Sequence, residues 1–174
     1  MKIASKIGKE SSITFFGLLY GNLNRYIYTA MLARWVGPEF LGIYSLANAI
    51  VLLSEVIAKM GIETGVVRYI GMLSLEDDYE KIKDIILSAF KMVFIFSISI
   101  MLISLLLSDY VALTIFNGSI LLKQAIIIFS LTIPFNCLTL ISAHATQGFK
   151  LLKYKTFVTQ FIKPTVLFAS AFFM

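Results

Sequence analysis

Histidine and cysteine, which carry much of the proton transfer, nucleophilic attack and metal ligation in proteins, are nearly absent here. One of each occurs in 174 residues. The single cysteine, Cys137, can form no intramolecular disulfide and reads as a small buried hydrophobe. The single histidine, His144, has no cysteine–carboxylate constellation around it, and reads as a headgroup contact or a hydrogen-bonded helix end. No nucleophile elbow and no phosphate-cradling glycine loop is present, so an enzyme is not expected, and nothing calls for a cofactor or a metal. Charge is scarce as well: 14% of residues are charged, against about 25% in typical domains. Hydrophobic residues make up 59%, against a usual 45–50% or so. A soluble chain of this length would lack the polar surface to cover such a core. The surplus apolar surface needs an apolar solvent, and a bilayer is the obvious one.

The hydrophobicity comes in blocks long enough for that solvent. A span needs roughly 20 mainly apolar residues to cross about 30 Å of hydrocarbon. Runs at 12–33, 40–58, 85–107 and 120–142 qualify, and a fifth runs from 157 to 174. The chain is therefore expected to be an all-α integral membrane protein, a polytopic helix bundle. The first run is too long for a signal-peptide core and is followed by a second span, not a cleavage site. The fifth is still apolar at Met174, which reads as a cut and not as a terminus.

Basic residues sort by side. Eleven lie in the N-terminal segment and in the connections after spans two and four, or at their edges; two lie in the other connections. This places the N-terminus in the cytoplasm, with the cytoplasmic membrane as its location. The net charge of +5 follows from that asymmetry; no nucleic-acid-binding motif accompanies it.

Local punctuation fills in the path. Gly37-Pro38 is a tight outer turn that makes spans one and two an antiparallel hairpin. Ser74 with Asp77 resembles a capping box for a short surface helix, on which Asp77 and Lys81 are spaced i,i+4. The acids from Glu76 to Asp84 are interleaved with lysines and lack a calcium-type glycine turn, so they read as a solvated face. Pro134 should kink the fourth span and free a carbonyl, with Ser130 or Thr132 as local partner.

The informative residues are polar ones inside the apolar runs. On a helical wheel Thr14, Gly17, Gly21, Asn24, Arg25 and Tyr28 share one side of span one. Gly17 and Gly21 form a G-x-x-x-G that permits close helix approach. Arg25 lies about 20 Å along a helix of about 33 Å, too deep to reach either headgroup layer with ease. A charge there costs at least about 2.5–3.5 kcal/mol and normally faces a water-filled cavity or a partner. Span two carries Tyr44, Asn48, Glu55 and Lys59 on one face. If the two stripes face each other, they line a cleft with a cation near mid-depth. An arginine fork suits phosphate or pyrophosphate oxygens. Asn22, Asn24, Arg25, Tyr28 and Asn48 are therefore the expected substrate contacts. Glu55 and Lys59 are either a structural ion pair or an ion-coupling site.

Two stretches resemble a known family. "LARWVGPEFLGIYSLANAIVLLSEVIAKMGIETGVVRYIG" resembles the start of polysaccharide flippases of the multidrug/oligosaccharidyl-lipid/polysaccharide superfamily, through Ala33-Arg34, Gly37-Pro38-Glu39, Gly42, Tyr44, Ala47, Gly61, Arg68 and Ile70. "TQGFKLLKYKTFVTQFIKP" is similar to that family's basic loop between helices four and five. Lys59 departs from the pattern, since an acid is common there; Glu55 stands one turn earlier. The resemblance implies about twelve to fourteen helices in two pseudo-symmetric lobes. This chain would be most of the first lobe, partnered by a C-terminal lobe. It also implies transport of a lipid-pyrophosphate-linked oligosaccharide between leaflets, the pyrophosphate held by basic residues of a central cavity. Arg68, Lys150, Lys153 and Lys155 would contact that pyrophosphate or lipid headgroups. A multidrug-type exporter and a small scaffold subunit are the rival readings.

Overall fold

The computed structural model describes residues 2–75, 78–116 and 120–172. Every regular element among them is a helix: α1 (Lys2–Trp35), α2 (Pro38–Lys59), α3 (Ile62–Leu73), α4 (Tyr79–Asp109), α5 (Ile120–Ser130), α6 (Ile133–Gly148), α7 (Leu152–Thr156) and α8 (Lys163–Phe172). Two π-helical turns interrupt this order, Tyr110–Ile115 after α4 and Phe157–Ile162 between α7 and α8. The molecule is an all-α membrane helix bundle. By length and composition α2 and the continuous rod Tyr79–Ile115 can each cross a bilayer, and α5 with α6 makes a third if the bent pair is one span. The other two apolar runs, in α1 and after 157, are the ones that carry Arg25 and Lys163. Outward-facing side chains are large and apolar: Leu106 is 83% exposed and Phe135 73%. Such a surface requires hydrocarbon around it.

The turns follow from backbone chemistry. Gly37 adopts φ 91°, a left-handed conformation that glycine reaches without strain, and Pro38 opens α2 where its missing N–H is not needed. Met60 and Gly61 are both left-handed, at φ 46° and 78°, and together they turn the chain from α2 into α3. Helix α3 is not expected from the hydrophobic pattern, in which 60–73 is a connection. Val66 and Ile70 bury one of its faces while Arg68 and Tyr69 stay exposed.

The capping box expected at Ser74 depends on Asp77. Asp77 lies outside the described residues, and the Ser74 hydroxyl donates to the Gly71 carbonyl at 3.1 Å. Asp78 is the cap of α4: its Oδ1 accepts the Lys81 backbone N–H at 3.2 Å, and its Oδ2 pairs with the Lys81 ammonium at 2.7 Å. That bonding holds the Asp78 carboxyl below its ordinary pKa. The polar stretch from Tyr79 on is thus the first turns of α4, not a separate surface helix.

Pro134 breaks the fourth span outright. It sits in the first turn of α6, and α5 and α6 meet at 40°. Thr132 caps the break, its hydroxyl donating to the Phe129 carbonyl at 2.7 Å. The core lies between α2, α3, α4 and α6, around Val51, Val66, Ile70, Val93, Ile133 and the buried thiol Cys137. Serines let α4 approach α5 closely: Ser104 and Ser130 share a 2.7 Å hydrogen bond in the interior.

The G-x-x-x-G of α1 faces the segment after Leu151. A Cβ on Gly17 would come within 2.5 Å of Thr156 Cγ2, and one on Gly21 within 3.1 Å of the Gln160 carbonyl oxygen. Tyr20 stacks on Phe161 at 4.8 Å, and the Thr14 and Thr156 hydroxyls are 3.4 Å apart. Thr14→Cys with Thr156→Cys should therefore form a disulfide under mild oxidation in a Cys137→Ser background. Adding Gly17→Leu should abolish that cross-link by forcing the helices apart; an unchanged cross-link would mean the glycine is not required for the approach.

Candidate functional site

α1, α2 and the start of α8 enclose a cavity of about 380 Å³. α1 contributes Asn24, Arg25, Tyr28 and Thr29; α2 contributes Tyr44, Ser45 and Asn48; α8 contributes Lys163. The polar stripes of spans one and two do face each other across it. Helical spacing explains the set: 24, 25 and 28 lie within one turn of α1, and 44, 45 and 48 within one turn of α2. The rings of Tyr28 and Tyr44 meet at 6.1 Å, and Tyr44 packs edge-on against Phe129 at 5.5 Å. The wall is thereby tied to the α5 side of the bundle.

Local bonds tie up some of the lining polar groups. Asn24 Nδ2 donates to the Tyr20 carbonyl at 3.1 Å, and the Thr29 hydroxyl to the Arg25 carbonyl at 2.8 Å. The guanidinium of Arg25 is different. Among the described residues no carboxylate pairs with it, and none of the residues lining the cavity is acidic. Arg25 is a cation presented to an open, partly polar space.

Not every expected residue reaches this cavity. Asn22 lies about 200° around α1 from Asn24, exposed and outside it. Glu55 and Lys59 do not pair with each other. Glu55 is 4% exposed, on the face turned toward α6, and its Oε1 accepts from Asn136 Nδ2 at 2.8 Å. Lys59 instead lies 3.6 Å from Glu63, which the Met60-Gly61 turn brings round on α3. The i,i+4 spacing allowed a pair, but a tertiary contact supplied the partner of Glu55 and the turn into α3 supplied that of Lys59.

The four remaining basic candidates sit away from the cavity. Arg68 is exposed on α3. Lys150, at φ 59°, turns the chain after α6. Lys153 places its ammonium 5.0 Å over the Tyr154 ring. Lys155 donates to Gln147 Oε1 at 2.7 Å, and burial pushes its pKa below the ordinary value while Glu63 opposes the shift.

Two polar residues at the site are not evident from the sequence pattern. Lys163 counts there as part of a basic loop, yet it lies eleven residues into the rod that starts at Leu152, about 16 Å along it, and lines the same cavity as Arg25. Asn136 bridges Lys163 and Glu55: its Oδ1 accepts from the Lys163 ammonium at 3.3 Å. The signal that marks both is depth. An amide two residues past a mid-span proline, and a lysine well inside an apolar run, carry the same message as Arg25.

A family model described as "Polysaccharide biosynthesis protein" matches residues 7–174, which include every residue of the cavity. No curated protein and no solved structure matches the chain.

Proposed function

The chain belongs to the polysaccharide biosynthesis protein family, and on that footing we propose that it is part of a flippase. Its cargo is a lipid-pyrophosphate-linked oligosaccharide, moved from the inner to the outer leaflet of the cytoplasmic membrane for cell-surface polysaccharide. One observation carries the reading: Arg25, without a carboxylate partner among the described residues, faces a polar cavity inside an apolar bundle. An unpaired intramembrane cation is expensive and is kept where it has work to do. The chemistry that uses it best is a phosphate, which matches the guanidinium fork. At about 380 Å³ the cavity has the size of a small-ligand site. It would hold the pyrophosphate and the sugar next to it, and the rest of the glycan would extend beyond. Asn24, Tyr28, Tyr44 and Asn48 supply donors, acceptors and ring faces around the anion.

The protein acts by transport, not by bond-breaking chemistry, with a C-terminal lobe completing the pathway. Glu55 is the candidate for ion coupling, since Asn136 and Lys163 join it to the cavity. The N-terminus is cytoplasmic: with Lys163 assigned to the cavity, ten basic residues still mark that side against two. Arg68, Lys150 and Lys153 are exposed there for anionic headgroups.

The full protein in proteoliposomes should bring lipid-pyrophosphate-linked oligosaccharide to the opposite leaflet. Access of a membrane-impermeant glycosidase to that glycan would be followed over time. Access no faster than in protein-free vesicles would rule the flippase reading out.

A further inference from the structure

We propose that Lys163 is the second cation of this cavity and the residue that makes it select pyrophosphate over a single phosphate. This rests on the reading of Arg25 as an anion contact and adds the source of its selectivity. Lys163 and Arg25 line the same space from different helices, α8 and α1. None of the residues lining it is acidic, so its walls carry two formal positive charges, with Glu55 behind Asn136 on the Lys163 side. An arginine fork saturates one phosphate group. The second phosphate of a pyrophosphate would bring further negative charge into a space of low dielectric, where an unmatched charge is costly. A lysine ammonium contributed to the same cavity by a second helix offsets that penalty.

The present bonding of Lys163 suits this role. Its ammonium is held by one neutral acceptor, Asn136 Oδ1, at 3.3 Å, beyond the usual N–H···O range. An ammonium has three donors, so this contact leaves capacity for a ligand. A phosphate oxygen makes the stronger, charge-assisted bond and would displace the amide. Asn136 is not stranded by the exchange, because its Nδ2 stays on Glu55 at 2.8 Å. The backbone sets the direction of Lys163. The π-helical turn Phe157–Ile162 ends immediately before it, and Pro164 comes next on the cavity wall. Such π turns shift the angular register of the downstream helix and recur at functional sites.

The test uses the full chain in lipid nanodiscs, titrated calorimetrically with inorganic pyrophosphate and with orthophosphate. The parent protein should bind pyrophosphate at least about tenfold tighter than orthophosphate. Lys163→Gln should bind both anions alike, at about the parent's orthophosphate affinity, while Lys163→Arg keeps the preference. Glutamine still reaches Asn136 as a donor, so a purely structural lysine would leave the preference unmoved in Lys163→Gln. That result would overturn the assignment of Lys163. It would leave Arg25 standing if Arg25→Gln binds neither anion. If the parent protein binds neither anion, or Arg25→Gln binds both as the parent does, the anion reading falls and this inference with it.

Discussion

Arg25→Gln is expected to lower export of lipid-linked oligosaccharide by about 100-fold at matched membrane abundance, the scale set by losing two or more charge-assisted hydrogen bonds to a buried anion. Glutamine keeps donors near the same place and removes the charge and the fork. Arg25→Lys should fall between the two, because an ammonium binds phosphate as a point charge and cannot grip it bidentately. Stability should move the other way. Among the described residues Arg25 pairs with no carboxylate, and a bare cation in a membrane helix costs at least about 2.5–3.5 kcal/mol. The neutral variant should therefore melt at the parent temperature or above it. Activity and stability changing in opposite directions separates a ligand contact from a structural residue. Parent-level export in Arg25→Gln, measured as sugar reaching the cell surface, would show that the cavity is not the anion site.

The second large effect concerns the scaffold behind the cavity. Gly148→Ala should destabilise the protein by about 1–3 kcal/mol, the usual range for overpacking a close-packed interior. A Cβ at 148 would come within 2.7 Å of Ile70 Cβ and 3.4 Å of the Val67 carbonyl oxygen. Ile70 is fully buried on α3, so it has no room to withdraw. Both residues belong to the stretches on which the family resemblance rests, and their contact locks α3 to α6. Ile70→Ala alone should cost about 2–5 kcal/mol through the cavity it leaves. In the double variant the 2.9 Å clash with Ile70 Cγ2 is gone while the Cβ that alanine retains stays close, so the combined loss should be smaller than the sum by at least about 0.5 kcal/mol. Thermal unfolding of the four proteins in one detergent measures this. Strict additivity would mean that residues 70 and 148 do not meet.

Much of this architecture is legible in the sequence because two periods dominate it. Twenty-residue apolar runs give the membrane bundle, and the 3.6-residue period gives the stripes on α1 and α2. Residues 24, 25 and 28 face 44 and 48 for no deeper reason than helix geometry and a tight Gly37-Pro38 turn. Pro134 marks the fourth span's break equally well, though the sequence suggests a kink and the chain makes two helices at 40°. What the sequence does not show depends on contacts between distant segments. Helix α3 is short and half apolar, and it forms because Val66 and Ile70 find the core. The Glu55–Lys59 spacing is sound locally, yet Asn136 lies 81 residues away and Glu63 beyond a left-handed turn. Asn22 shares a polar cluster with Asn24 but not its face. Lys163 looks like the end of a basic loop until the helix from Leu152 is known to be continuous through it.

The central claim is that this cavity holds the pyrophosphate of a lipid-linked glycan through Arg25. Native mass spectrometry of the full protein, extracted gently from membranes that make such lipids, addresses it directly. The parent protein should carry a bound species with the mass of a lipid-pyrophosphate-linked sugar, and Arg25→Gln should not. A parent protein that carries only ordinary phospholipid, or an Arg25→Gln variant that retains the adduct, would contradict the account.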